Sequence, residues 1–288
     1  MGIARTLYRA IPAKKTIFSL IKGFSTPPYN IYKNLRFKGV VDVKIGSNSF
    51  KINTDYDKYV ETKLFWKGVN AHYEKMSYDL WINLSKKANV ILDVGANTGI
   101  YSLMTKTVNP SAQVYGFEPM PDVYRQFLAN EKLNNFGIHC LELAASNEDG
   151  TADIYTNPTE QLYTSTLNSE NTVENSIKTT IKTITLKTWI EQNNIKNIDL
   201  MKVDVESFEP QVMEGMGEYL KQMRPTMLME ILSNEVGEAV EKHLEGCDYL
   251  FFNLDEETKP VQVPHLNAEG YLNHLICSKE TAQELGIL

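Results

Sequence analysis

Cysteine is scarce in this chain of 288 residues: Cys140, Cys247 and Cys277 stand apart, odd in number and without a Cys-x-x-Cys pair. That excludes a disulfide framework and a thiolate zinc cluster, and it fits a reducing, cytoplasmic compartment. Long hydrophobic runs are missing too, which excludes a membrane-spanning helix, and no amino-terminal stretch reads as a signal peptide. Without low-complexity tracts or internal repeats, neither a disordered chain nor a solenoid is expected. Acid is absent from residues 1–41, which carry eight Lys and Arg; the other 21 basic residues face all 36 acids, leaving the remainder at a formal −15. So acidic a body argues against a nucleic-acid-binding protein, whose footprint is a basic face.

What is present is an ordinary globular composition, 42% hydrophobic and 23% charged, long enough for a sizeable α/β core. Residues 1–24 mix cations with Ile3, Leu7, Ile11, Ile17, Phe18, Leu20, Ile21 and Phe24. Interrupted by Pro12, they read as helix docked on the body or on a second subunit of a homo-oligomer, with peripheral contact to an anionic membrane as the alternative. A break follows at Ser25-Thr26-Pro27-Pro28. Alternating residues 35–45 and 49–54 around Gly46-Ser47-Asn48 predict a hairpin, and residues 55–84 predict helix with a break at Gly68. Residues 1–85 are therefore expected to form an amino-terminal basic segment, hairpin and helical cover, ahead of a main domain at 86–288.

The main domain is organised around Val90-Ile91-Leu92-Asp93-Val94-Gly95-Ala96-Asn97-Thr98-Gly99-Ile100-Tyr101. An aliphatic run ends in an acid, a tight turn follows, and a helical pattern begins near Ile100. Gly95 and Gly99 permit positive φ and a close ligand approach at a helix N-terminus. A dinucleotide fingerprint would need a glycine at position 97 and no acid at the first strand's end. Here Asn97 and Asp93 stand instead. A carboxylate there repels a pyrophosphate and attracts an ammonium and a sulfonium, which points to S-adenosylmethionine. The second strand, residues 113–117, ends in Glu118-Pro119, where a carboxylate chelates a ribose diol.

A helix over residues 121–133 and a third strand over 138–144 come next; Ala144-Ala145-Ser146 are small enough to leave room for adenine at Ala145, and equally consistent with a plain turn. Two further strands, 150–155 and 177–186, enclose a long polar stretch, 156–176, read as a candidate lid or substrate loop, with disordered surface as the alternative. A fourth strand over 198–206 places Lys202 and Asp204 on one face, and helix is expected from there to about residue 223. A fifth strand from Pro225 brings Glu230 within their reach. Charges in core strands are costly unless paired or working, so this group is expected to line the cleft. Asp204 is the candidate for accepting or steering the acceptor's proton, with Glu206, Glu230 and His72 in reserve. A cation held by these carboxylates is a weaker alternative, since no compact metal-ligand set is evident. A helix over 235–244, a strand over 249–254, a polar loop and a last strand over 271–277 close the chain. His265 and His274 lie in segments that could approach the crevice.

The run Asp93-Val-Gly-Ala-Asn-Thr-Gly-Ile-Tyr101, then Phe117-Glu-Pro119, then Lys202-Val-Asp-Val-Glu206 with Glu209 a turn on, then residues 225–230, resembles the FkbM-type S-adenosylmethionine-dependent methyltransferases. The likeness spans roughly residues 52 to 279 and takes in the Tyr73-Glu74 pair. It implies a class I methyltransferase fold, a Rossmann-like α/β sheet, mostly parallel with an antiparallel last strand. Implied with it are a sugar, glycan or related small-molecule hydroxyl as acceptor and a cofactor set of Glu74, Asp93, Gly95, Asn97, Gly99, Tyr101, Glu118, Pro119, Ala145 and Asp204. Two positions depart from the family pattern: Ser207 stands where Gly is usual, and Lys187 where Asp is common. The alternatives are an NAD-dependent sugar oxidoreductase and a non-catalytic cofactor-binding protein.

Overall fold

Pro12 interrupts the amino-terminal helical pattern, which breaks into α1 (Ile3–Ala10) and α2 (Lys14–Phe24), with Ala13 at a left-handed φ of 55°. The computed structural model describes residues 3–70, 74–156, 165–166, 177–256 and 258–288. It divides into two compact units, Met1–Tyr73 and Glu74–Leu288.

In the first unit, α3 (Tyr29–Tyr32) precedes an antiparallel hairpin of β1 (Gly39–Ile45) and β2 (Asn48–Thr54), with Gly46 at φ 58° in the turn. The first strand begins at Gly39 and not at residue 35, because Phe37 is drawn into an aromatic cluster. Its ring lies 4.9 Å from Phe65 and 6.2 Å from Phe18. Then α4 (Tyr59–Lys67) stops at Gly68, φ 66°, where a break is expected. Inward-facing Val41, Val43, Phe50 and Ile52 are buried along with Leu64 and Trp66, so Trp66 serves packing.

The second unit begins with α5 (Lys75–Ser85), β3 (Val90–Val94), α6 (Ile100–Val108), β4 (Gln113–Phe117), α7 (Pro121–Asn134) and β5 (His139–Leu141). It continues with β6 (Ala144–Ser146), β7 (Gly150–Thr156), β8 (Ser165–Thr166), β9 (Ile177–Thr185), α8 (Leu186–Asn193) and β10 (Leu200–Val203). After α9 (Glu209–Met216) and α10 (Glu218–Met223) come β11 (Thr226–Glu230), α11 (Asn234–Leu244), β12 (Leu250–Leu254), β13 (Pro260–Val263), β14 (Asn273–Cys277) and α12 (Lys279–Glu284).

Among the described residues one sheet has eight strands, ordered β13-β12-β14-β11-β10-β3-β4-β5. The run β11-β10-β3-β4-β5 is parallel, and β14 enters antiparallel between β11 and β12. The near-continuous apolar strands Val90–Val94 and Leu200–Val203 are buried, as a sheet covered on both faces requires. Strand order reverses between β3 and β10, which run parallel, and the crevice beyond their carboxyl ends is the natural ligand site.

Four elements differ from expectation, the first being α12, which follows the strand expected to close the chain. The third strand is two: β5 stays in the main sheet, while β6 leaves it to pair with β9 in a four-stranded sheet ordered β6-β9-β7-β8. The helix expected to reach residue 223 breaks at Gly217, φ 56°. The loop carrying Pro260 contains β13, paired with β12. Most of the polar stretch 156–176, the candidate lid, lies outside the described residues, as does His72.

Candidate active site

Gly95 and Gly99 hold φ of 80° and 85°, as a turn this tight demands. Their missing side chains serve chain packing. A Cβ on Gly95 would lie 1.8 Å from the Asp204 carbonyl oxygen, and one on Gly99 would lie 2.3 Å from the Phe127 ring. The turn's amides are already engaged. Gly95 and Ala96 both donate to the Phe117 carbonyl at 3.0 and 2.9 Å, and Gly99 donates to Ala96 at 2.8 Å. Asn97, at φ 50°, donates its amide to Glu118 Oε2 at 2.9 Å. These turn amides are thus taken up by the Phe117 and Ala96 carbonyls and by the Glu118 carboxylate, and not left open as a dinucleotide fold would leave them for phosphate.

Glu118, just past β4, is buried, and its Oε1 accepts from the Met120 amide at 2.9 Å. Burial pushes it up to about 7, against the pull of those two amide donors. Pro119 beside it is partly buried. Asp93 faces the start of α6: its Oδ2 accepts from Ser102 N at 3.0 Å and Ser102 Oγ at 2.6 Å. Burial raises Asp93 to about 6, with the Ser102 hydrogen bonds opposing. Asn97 Oδ1 and Tyr101 Oη are buried polar atoms with no hydrogen-bond partner among the described residues. The Tyr101 ring is held edge-on by Tyr78 and Trp81 at 5.4 and 5.3 Å.

Across the switch point, Lys202 Nζ donates to Asp204 Oδ2 at 3.1 Å, so the two share a face as their spacing predicts. Lys202 is only 1% exposed, and its Nζ lies 5.3 Å from the centre of the Tyr101 ring. Burial works against this ammonium, but Asp204, Glu230 and Glu74 together carry it above its ordinary value. Parallel pairing sets Lys202 opposite Leu228, which brings Glu230 at the end of β11 to Asp204. Burial, then the Asp204 charge and a hydrogen bond to it, push Glu230 up to about 9 despite Lys202. This rise favours the protonated form of Glu230, in which it can donate to Asp204.

Glu206 and Ser207 follow with left-handed φ of 56° and 77°. Burial lifts Glu206 to about 7, and Asp204 and Glu209 add to the rise. Glu209 opens α9 with Oε1 accepting from Val205 N at 3.0 Å. Glu74, at φ 60°, is also raised by burial, with Lys202 opposing.

Ala145 lies in the core beside Leu186, Trp189 and Val212, on the strand that leaves the main sheet. His274 is fully buried in β14, with Nδ1 3.0 Å from Leu272 O and Nε2 3.1 Å from Asn253 Nδ2. Burial depresses it, so it is a neutral, satisfied ring. His265 is exposed and pairs with Glu241 at 3.0 Å. Sequence reasoning missed two residues. Glu256 caps α5, its Oε2 taking Met76 N at 2.5 Å and its Oε1 taking Ser77 Oγ at 2.5 Å. Asn273 stands opposite Glu230 and leaves a buried Oδ1 without a partner among the described residues. Neither carries a local signal, because each is placed by pairing far along the chain.

The parallel five-strand run with an antiparallel strand inserted at β14, and carboxylates at the tips of β4, β10 and β11, defines the class I methyltransferase fold. The chain belongs to the Methyltransferase FkbM domain family, whose model matches residues 93–257. The chain is 26% identical over 151 residues to the hexuronic acid methyltransferase AglP of Haloferax volcanii, covering 52% of this chain and 59% of that one. To the 31-O-demethyl-FK506 methyltransferase FkbM of Streptomyces tacrolimicus it is 27% identical over 158 residues, 45% of this chain and 60% of the relative. The chain thus spans about three fifths of the length of these two relatives. The crystal structure of Methyltransferase FkbM from Methylobacillus flagellatus KT aligns at 13% identity with a TM-score of 0.42, over 66% of this chain and 43% of that one.

Proposed function

We propose that the chain is an S-adenosylmethionine-dependent O-methyltransferase acting on a hydroxyl of a sugar, a glycan or a related small molecule. One observation carries the reading. Glu118 at the carboxyl end of β4 and the Lys202–Asp204–Glu230 group at the ends of β10 and β11 flank the turn after β3, whose Asn97 amide is taken by the Glu118 carboxylate.

The residues suit the methyl donor. Glu118, fixed by two amides, is the acceptor for ribose hydroxyls. The buried, unpartnered Asn97 Oδ1 and Tyr101 Oη are an acceptor for an ammonium and a hydroxyl for a carboxylate. Asp93 braces the junction of turn and helix through Ser102. When bound, S-adenosylmethionine supplies a methyl group on a sulfonium, already an activated leaving group. The chain's task is then proximity, orientation and removal of one proton from the acceptor hydroxyl. Asp204, its side chain 31% exposed and steadied by Lys202, takes that proton. Glu230 supports it by donating a hydrogen bond, and Glu206 lies within the same field. The hexuronic acid and 31-O-demethyl-FK506 named for the two relatives support an oxygen acceptor on a sugar or related small molecule.

The test is methyl transfer from labelled S-adenosylmethionine to a panel of neutral sugars, uronic acids and glycolipids, beside calorimetry with the donor and its demethylated product. Transfer to at least one hydroxyl is expected, and Asp204→Asn should lower kcat by about 10²–10⁴-fold while still binding donor. Absence of binding heat with either molecule would overturn the reading.

A further inference from the structure

We propose that the amino-terminal unit docks on an anionic lipid surface through the exposed face of α2. Phe18 and Lys14 on one side of this helix are buried, Phe18 lying 5.7 Å from Trp66. Lys22 is tied to the Phe65 carbonyl. The side facing away is apolar: Ile17, Leu20, Ile21 and Phe24, at spacings of three, four and seven, are 43%, 61%, 38% and 93% exposed. One stripe of a helix anchored by its other face is thus left uncovered. The exposure is concentrated: of thirteen exposed large hydrophobic residues among those described, eight fall between Leu7 and Ile31.

Charge selects the occupant. Residues 1–73 hold 13 Lys and Arg against four acids, a net +9, while residues 74–288 hold 16 against 32, a net −16. A basic unit that displays an apolar stripe has the two attractions by which an interfacial helix holds an anionic bilayer: acyl contact for the stripe and headgroup attraction for the cations. Lys15 and Lys38 keep 46% and 76% of their side chains exposed although they face Asp42 and Asp55, so these pairs leave their charge in play. A protein partner would need a cavity for Phe24, whereas a bilayer needs none. No helix among the described residues is long and apolar enough to cross a membrane, so the contact is peripheral.

The full chain should be sedimented with phosphatidylcholine vesicles with and without phosphatidylglycerol, at low and high salt. The expected result is binding that requires the anionic lipid and weakens with salt. The double variant Leu20→Ser and Phe24→Ser, at exposed positions, should cut partitioning by at least about tenfold. Three outcomes would overturn the proposal: no sedimentation with anionic vesicles, equal binding by the variant, or a wild-type dimer that ignores vesicles and dissociates in the variant. The last would mean that a second copy covers the stripe. None of these readouts depends on methyl transfer.

Discussion

Glu206 and Ser207 hold two successive left-handed conformations, φ 56° and 77°, where the chain turns from β10 into α9. Each costs roughly 1–2 kcal/mol for a residue with a side chain. Glycine is free of that cost, and Ser207 is the position where the family pattern usually has it. Ser207→Gly should therefore raise stability by about 1 kcal/mol after the added freedom of the unfolded chain is counted, read as a higher urea midpoint at unchanged slope. Glu118 invites the opposite kind of change. Both its oxygens accept amides, so the amide nitrogen of Glu118→Gln must face a donor. S-adenosylhomocysteine should then bind at least about tenfold more weakly by calorimetry, the loss expected for a charge-assisted pair. An unchanged Kd would remove Glu118 from the ribose site.

At the scale of elements, the strand tips gather carboxyls that the sheet partly desolvates: Glu118, Glu206 and Glu209 near 7, Glu230 near 9. All lie above the unfolded value of about 4.3, so the folded chain holds more protons than the unfolded one in between. Their stabilising contribution is present at low pH and drains away as pH rises through the folded values. Ligand-free Tm should fall from about pH 6 to 9, and Glu230→Gln should flatten the upper part of that fall. Surface acids with lowered values, such as Asp149 and Glu218, act at more acidic pH. A Tm that rises across this window would contradict the assignment. Helix α9 is placed with little tolerance, since a Cβ on Gly215 would lie 1.9 Å from the Ser146 carbonyl. Gly215→Ala should cost about 1–3 kcal/mol, visible in chemical denaturation. The elements that sequence could reveal are those whose signals are local: the aliphatic run, turn and helix at 90–108, the Lys202–Asp204 alternation, and Gly68 as a stop. Strand β6 was illegible because three small residues carry no information about which sheet will pair with them. The roles of Glu256 and Asn273 were hidden because strand order, and not nearby sequence, brings them to α5 and Glu230.

The whole molecule joins a basic unit of residues 1–73 to an acidic unit of 74–288 that carries the candidate site. Ligand binding should show in the melting of the latter. S-adenosylhomocysteine at a hundredfold its Kd adds about 2.7 kcal/mol, which for a chain of this size moves Tm upward by roughly 5 °C. NADH at the same concentration should leave Tm where it was. The reason lies in the Glu118 carboxylate seated on the Asn97 amide. Nucleotide polyphosphates are abundant metabolites, and any pocket that welcomes adenosine is exposed to them. A buried carboxyl that takes the Asn97 amide withholds a donor that a diphosphate would need, at no cost to a zwitterionic, sulfur-bearing adenosine. Retooling this crevice for a phosphorylated cofactor would therefore take release of that amide before any change at the adenine end could matter.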